Sequence, residues 1–244
     1  MNNIVILGDG LLGTELNKQT GWKIISRKQH KFDITNPTTW EKYLLETFDG
    51  VAQTRRYDVI VNCIAHTDTY SVHKTKHWDV NYKGVVNLVD FCNKWGIKLV
   101  HISTDYVYTN SRIDINECDI PIHGDNWYSY TKLLADAYIE LKSNCYLVCR
   151  GTHKPKPFPY IQAWVDQIGN FDYVDVIGKI IIKLINKEAE GIYNVGTELK
   201  SIFDLAKQTN PQATPARGSA LYKSIPSDTS MNIDKLNNLL HGKD

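Results

Sequence analysis

Apolar residues along the chain fall into short compact runs separated by longer stretches at helical spacing. Ile4–Leu7 is such a run; it meets Gly8-Asp-Gly-Leu-Leu-Gly13 and then a helix-like segment to about Gln19. A second run, Trp22–Ser26, ends in the basic pair Arg27-Lys28. Asn36-Pro37-Thr38 opens a helix predicted over Thr38–Phe48, because Asn before Pro starts helices well. Tyr57–Ala65 reads as a buried strand of the parallel type, and Thr75–Trp95 as a long helix with Val80, Val85, Leu88 and Phe91 facing inward. Lys98–Ser103 is the next strand. The polar loop Asn110–Asn126 leads to a helix bearing Tyr128 and Lys132, with Leu133, Leu134, Ala137, Ile139 and Leu141 as its packing positions. Cys145–Cys149 is a further apolar strand, ending at Arg150. Five alternations of strand and helix predict an α/β protein built on a doubly wound parallel sheet.

The pattern changes after Arg150. His153-Lys-Pro-Lys-Pro-Phe-Pro159 is neither regular helix nor central strand, since proline removes donors and stiffens the backbone. A short helix with Trp164 is predicted over Tyr160–Ile168, a longer one over Val174–Asn186, and a strand over Gly191–Val195. Ser201-Ile-Phe-Asp204 has the form of a capping box with Asp for Glu, and a last helix spans about Ile233–Leu240. The expected organisation is a nucleotide-binding domain over residues 1–150. Residues 151–244 would be an abbreviated C-terminal portion that returns to the first domain over about 174–199.

Length and charge narrow the partners. A chain of 244 residues, 42% hydrophobic and 23% charged, suits one globular α/β domain with an appendage. Its net charge of +1 gives no reason to expect nucleic acid or an anionic membrane surface. There is no 18-residue apolar run, and the N-terminus has no cationic flank or cleavage site of a signal peptide, so a cytoplasmic location is expected. The five cysteines are scattered without metal-ligand spacing and are expected to be reduced, with no metal bound.

The chemistry gathers at predicted strand ends. A strand followed by Gly-x-Gly-x-x-Gly and a helix is the arrangement of a dinucleotide site. Gly8 allows the turn, Gly10 the approach of a pyrophosphate and Gly13 the helix–strand packing. Basic Arg27 and Lys28 stand where an acid usually holds the ribose of NAD; they either meet a 2′-phosphate, which favours NADP(H) over NAD(H), or are two solvated surface cations. Asp33-Ile34 either lies near the adenine or caps the following helix. Tyr128 and Lys132 are four residues apart and share a helix face, where an ammonium lowers the pKa of a phenol. Thr104 adds a hydroxyl from the end of its strand. For Asn81, bonding to neighbouring backbone is at least as fitting as catalysis. Arg150 reads as an anchor, and a backbone-bonded role suits His66 better than acid/base work.

Taken together, Val59–Thr67 (VIVNCIAHT), Asp79–Tyr82 (DVNY), Ile102–Tyr108 (ISTDYVY), Tyr128–Leu133, Gly191–Val195 and Pro226–Leu236 resemble an extended short-chain dehydrogenase/reductase of the dTDP-4-dehydrorhamnose reductase-like group. The resemblance is dense up to Arg150. It implies reduction of a 4-keto-6-deoxy sugar nucleotide by NAD(P)H in nucleotide-sugar biosynthesis, by an enzyme for which a homodimer is an option. Tyr128 would give the proton, Lys132 would bind the nicotinamide ribose and tune Tyr128, and Thr104 would hold the carbonyl oxygen. Gly8, Gly10, Leu11, Leu12 and Gly13 would hold the pyrophosphate, and Cys63, Ala65 and Thr67 would line the cofactor cleft beside Arg27, Lys28, Asp33 and Ile34. Asp105, Tyr106 and Lys154 would join Thr104 on the substrate. Two departures stand out: the compact proline stretch with Lys154 and Lys156 replaces a longer sugar-binding segment, and Ile225 replaces a common arginine. The same scaffold also hosts epimerases, epimerase-reductases, dehydratases and non-catalytic NADP-binding regulatory subunits.

Overall fold

The computed structural model describes residues 2–48, 52–108, 114–121, 124, 126–218 and 225–242. Six parallel strands form the central sheet: β1 (Ile4–Leu7), β2 (Lys23–Ile25), β3 (Val59–Asn62), β4 (Lys98–Ile102), β5 (Tyr146–Arg150) and β6 (Gly191–Asn194). Their order is β6-β5-β4-β3-β1-β2, so the chain reverses its direction of travel between β1 and β3. That reversal opens a crevice at the strands' carboxyl ends, where open α/β sheets bind ligands. The fold is the expected doubly wound Rossmann type.

Successive strand residues point to opposite faces, and the core divides accordingly. Val5, Leu7, Ile60, Leu99 and Val148 pack under α2 (Gly84–Trp95) and α3 (Trp127–Lys142), through Val85, Leu88, Val89, Ala135 and Ile139. Ile6, Val59, Val61, Val100 and Leu147 pack under α1 (Leu11–Thr20), α4 (Val174–Asn186) and α6 (Asp234–His241), which contribute Leu12, Leu16, Ile177, Ile181 and Leu236. Each fully buried aliphatic side chain is worth about 1.5–3 kcal/mol, so these two layers supply most of the cohesion. A satellite core of Phe158, Ala163, Phe171, Tyr173, Ile202, Leu205, Ala206 and Ala213 lies under the post-Arg150 segments and α5 (Ile202–Lys207). Ser201 and Asp204 form the expected capping box at the start of α5.

Several expectations need correction. The helix predicted over Thr38–Phe48 stops at Leu44: Leu45 is extended, and Leu45–Phe48 pairs antiparallel with Ala52–Arg55. In place of a helix over Tyr160–Ile168 there are two short strands. Gln162–Trp164 pairs with Thr214–Ala216, and Ile168–Gly169 pairs with both Lys200–Ser201 and Asp228–Thr229. In α3 the buried face is Ser129, Thr131, Lys132, Ala135, Asp136 and Ile139, whereas Ala137 and Leu141 point outward. Polar residues on this face belong to the site and cannot be recognised by hydrophobic spacing. Before α2, the helix Lys74–His77 continues through a widened turn, Trp78–Lys83, where Gly84 N–H bonds to Asp79 O. The expected loop 110–126 lies partly outside the described residues.

Candidate functional site

The glycine loop meets the backbone demands that its sequence predicts. Gly8 has φ of 102°, a left-handed region that side chains avoid. A Cβ on Gly13 would strike the Gly8 carbonyl oxygen, so α1 can approach β1 only with glycine there. A Cβ on Gly10 would meet nothing within 4 Å: it would project into the crevice. Gly10 caps α1 without a side-chain bond, and the first turn carries no acid, which leaves the positive end of the helix facing open space.

Two adjoining recesses share Gly10, Cys63 and Ala65. One, about 270 Å³, is lined by Gly8, Phe32, Asp33, Ile34, Arg27 and Lys76 among others. The larger, about 590 Å³, holds Leu11, Leu12, Gly13, Thr67, Thr104, Tyr106, Tyr128 and Lys154. An elongated nucleotide cofactor fits this shape, with a glycine cradle midway and hydroxyls at the far end.

The basic end of β2 is resolved into two different residues. Ser26 accepts from Gln29 N–H and starts a single turn, Arg27–His30, that swings Arg27 over the first recess. Arg27 Nη2 lies 2.8 Å from Asp33 Oδ2. Asp33 also accepts from Thr35 N–H and Oγ1, so it holds its own loop and caps no helix. Lys28 is exposed and does not line the recess, contrary to expectation. The second cation is Lys76, which the sequence reading did not select. It joins Arg27, Thr35, His73 and Thr75 around a side pocket.

Asn81 is fully buried and acts on the backbone. Its Oδ1 accepts from His66 N–H at 2.7 Å and its Nδ2 donates to His66 O at 3.0 Å, fixing the turn after β3. The widened turn aims Asn81 inward. Its next residue of note, Gly84, packs against Ile34, where a Cβ would sit 3.0 Å from two Ile34 carbons. His66 is thus the backbone-bonded residue that its position suggested.

At the far end, Thr104 and Tyr128 come together as expected, from the end of β4 and the first turn of α3. Asn126 caps that helix through Ser129 N–H at 2.8 Å. Burial pushes the Tyr128 phenol up to about 12; a bond to Thr104 opposes this, while Asp105 and Asp136 add to it. Thr104 Oγ1 also accepts from Tyr106 N–H and donates to Asp105 Oδ1, both at 3.2 Å. Asp105 is fully buried and is held by Thr152 Oγ1 at 2.6 Å. It does not reach the cleft, so its expected substrate contact is replaced by support of Thr104. Tyr106 does line the cleft, its ring edge-on to Tyr128 at 6.2 Å.

Lys132 differs most from expectation. Only 1% exposed, it places Nζ 2.8 Å from His101 Nε2 and 2.7 Å from Ile102 O, beneath the cleft floor at Cys63. It makes no direct bond to Tyr128, whose phenol is opposed in its rise by the bond to Thr104. Burial pulls Lys132 down to about 8, although Asp136 opposes the fall. His101, fully buried, is driven far below the usual imidazole range by burial and by Lys132.

At the end of β5, Arg150 is the anchor expected of it: Nε bonds Asp136 Oδ2 at 2.9 Å and Nη1 bonds Tyr108 OH at 2.8 Å, all buried. Lys154 lines the larger recess and also a neighbouring pocket of about 260 Å³ walled by Phe158, Tyr160 and Trp164. Lys156 is elsewhere, paired with Asp175 at 2.7 Å. His153 joins the cleft wall unforeseen, its imidazole lowered to about 4 by burial and by Lys154. Among the described residues no acidic, His or Cys cluster suits a metal, the five cysteines are free, and no helix is long and apolar enough to cross a membrane.

Comparison with known proteins adds to this geometry. The family model described as the RmlD substrate binding domain matches residues 1–153. A dTDP-4-dehydrorhamnose reductase of Mycobacterium tuberculosis is 32% identical over 111 residues, which is 43% of this chain and 33% of that protein. The match therefore spans about a third of that relative's length. Among solved structures, the dTDP-4-dehydrorhamnose reductase of Bacillus anthracis in complex with NADP superposes with a TM-score of 0.78 at 23% identity, over 97% of this chain and 92% of that one. The dTDP-glucose 4,6-dehydratase DesIV of Streptomyces venezuelae, bound to NAD, gives 0.75 at 13% identity, over 99% and 91%. With the family model covering well over half of its residues, the chain belongs to the RmlD substrate binding domain family, within the extended short-chain dehydrogenase/reductases.

Proposed function

We propose that this protein reduces the C4 keto group of a 6-deoxy sugar nucleotide with NADPH. The observation that carries the reading is the Thr104–Tyr128 pair, which opens on the same cleft as the glycine loop. Gly8–Gly13 and the bare N-terminus of α1 would hold the pyrophosphate, and Phe32, Asp33 and Ile34 would flank the adenine. Arg27 and Lys76 would receive a 2′-phosphate, which favours NADPH over NADH. When bound, the nicotinamide supplies a hydride, and the chain supplies orientation and a proton.

A phenol held near 12 is fully protonated at neutral pH, as a donor must be. The Thr104 hydroxyl, turning its one proton from Asp105 Oδ1, would stabilise the phenolate left behind, and Tyr106 N–H keeps the Thr104 oxygen in place. Asp105, braced by Thr152, fixes that hydroxyl from behind. Lys132, proposed for the ribose, has to turn from Ile102 O toward the cleft to act. On the substrate side, Lys154 would meet the diphosphate, and the rings of Phe158, Tyr160 and Trp164 suit a stacked base. A cytoplasmic homodimer is the form we expect.

Pure protein with NADPH and a panel of 4-keto-6-deoxy nucleotide sugars tests the reading through loss of NADPH absorbance. Oxidation with at least one sugar, lost in Tyr128→Phe, is the expected result. Normal NADPH binding without oxidation by any sugar overturns it in favour of a non-catalytic cofactor-binding role.

A further inference from the structure

Lys132 is a buried cationic residue that forms no ion pair among the described residues; Asp136, whose Oδ1 has no partner, acts on it only from a distance. The acid one turn along α3, Asp136, already accepts from Arg150 Nε at 2.9 Å and Ser103 Oγ at 2.8 Å through the same Oδ2. Just past β3, Cys63 is held as a thiol, pushed up to about 12 by burial. Cys149 on β5 is likewise kept protonated by burial. From α3 itself, Tyr128 is a neutral phenol. What meets Nζ directly is His101 and the Ile102 carbonyl, both on β4. A charge in that position has little to offset its loss of water.

The hydrogen-bond register identifies its protonation state. A backbone N–H can only donate, and Ile64 N–H lies 3.1 Å from one side-chain atom of Asn62, which must be Oδ1. Nδ2 of Asn62 therefore faces His101 Nδ1, at 3.2 Å, and donates to it. The two residues are partners across β3 and β4, so this contact is set by strand register. Since Nδ1 accepts, the neutral ring carries its proton on Nε2. That Nε2–H points at Lys132 Nζ, 2.8 Å away. An ammonium has three protons and no lone pair, so it cannot accept this bond, whereas a neutral amine can.

We propose that His101, oriented by Asn62, is a positioning residue that stores Lys132 as a neutral amine beneath the cleft and lets go of it when the amine takes up a proton. The step balances simply. A solvent proton from the cleft adds to the nitrogen lone pair, the Nε2–H bond to that lone pair breaks, and the ammonium turns from Ile102 O to new acceptors past Cys63. Protonation and exposure of Lys132 are thereby one event. Asn62 and His101 set its threshold without touching substrate or cofactor, and the inference holds whichever carbonyl is reduced.

Ring nitrogen NMR of the ligand-free protein, labelled with 15N-histidine, reads the tautomer directly. His101, identified by the signal missing in His101→Gln or shifted in Lys132→Met, is expected as Nε2–H with a bare Nδ1 above about pH 8, where Lys132 is the neutral amine. Finding Nδ1–H with a bare Nε2 overturns the proposal, because an ammonium would then be donating to the ring. Asn62→Asp keeps an acceptor for Ile64 N–H and offers a second oxygen to His101, so it should reverse the tautomer. Lysine labelled with 13C at Cε should then show Lys132 binding its proton at least tenfold more tightly than in the wild type. A reversed tautomer with unchanged Lys132 titration also overturns the proposal.

Discussion

Alanine at Gly10 and at Gly13 separates what the glycine loop does for folding from what it does for binding. At Gly13 the new methyl would overlap the Gly8 carbonyl oxygen and sit 3.1 Å from the Gly8 carbonyl carbon, so α1 has to lift off β1. Overpacking of this kind costs about 1–3 kcal/mol, and a collision with backbone belongs at the upper end. Alanine returns about 1 kcal/mol of helix propensity, which leaves a net loss of about 2 kcal/mol. At Gly10 the methyl meets no atom within 4 Å, and the residue's φ of −70° is open to alanine. A poorer cap there is offset by a stiffer unfolded chain, about 0.5–1 kcal/mol each way. Urea unfolding followed by tryptophan fluorescence should show Gly13→Ala shifted by about 1 M, given a slope of ~2 kcal/mol/M, and Gly10→Ala nearly unchanged. NADPH titration should show both variants weakened, Gly10→Ala because its methyl occupies the pyrophosphate's approach. A Gly10→Ala protein that binds NADPH like the wild type would refute the cradle, and a Gly13→Ala protein of wild-type stability would refute the packing argument.

Tyr128→Phe should lower turnover about 10²–10⁴-fold while NADPH affinity holds, measured by steady-state rates beside direct binding. Arg150→Met leaves Asp136 buried without its cation and should destabilise the protein by about 3–5 kcal/mol in urea unfolding. Arg27→Ala and Lys76→Ala should each weaken NADPH more than NADH, whereas Lys28→Ala should leave both unchanged in titration. The His153 imidazole is held at about 4 against 6.5 for a free ring, so the unfolded chain binds a proton that the folded one refuses. Stability should therefore fall as pH drops from 6.5 toward 4, and thermal melts of His153→Gln should fall less steeply over that window.

Some features were legible because they follow from local rules. A left-handed φ at Gly8, a missing Cβ at Gly13 and a capping box at Ser201 are demands that a few adjacent residues meet, and each reads directly from the chain. Hydrophobic spacing placed the sheet strands and the helices α1, α4 and α6 within a few residues. It failed at Leu45–Phe48 and Gln162–Trp164, where pairing with distant partners outweighs helical spacing. It also misplaced the inner face of α3, whose buried positions are largely polar because Asp136 meets Arg150 and Lys132 meets His101 there.

From the residues alone came the strand–glycine–helix start, the parallel sheet, and the hydroxyl and phenol that share the far end of the cleft. Each depends on neighbours in sequence or on a motif with a fixed backbone purpose. Folding added the relations that span the chain. Asn62 stands beside His101 because β3 and β4 pair in register, and so a lysine spaced to serve Tyr128 is held by a histidine instead. Arg27 and Lys76 converge on one recess from segments nearly fifty residues apart, while the adjacent Lys28 points to solvent. Helical spacing states which residues share a face; only the packed sheet determines which atoms lie within hydrogen-bond reach, and with them the charge that each group carries.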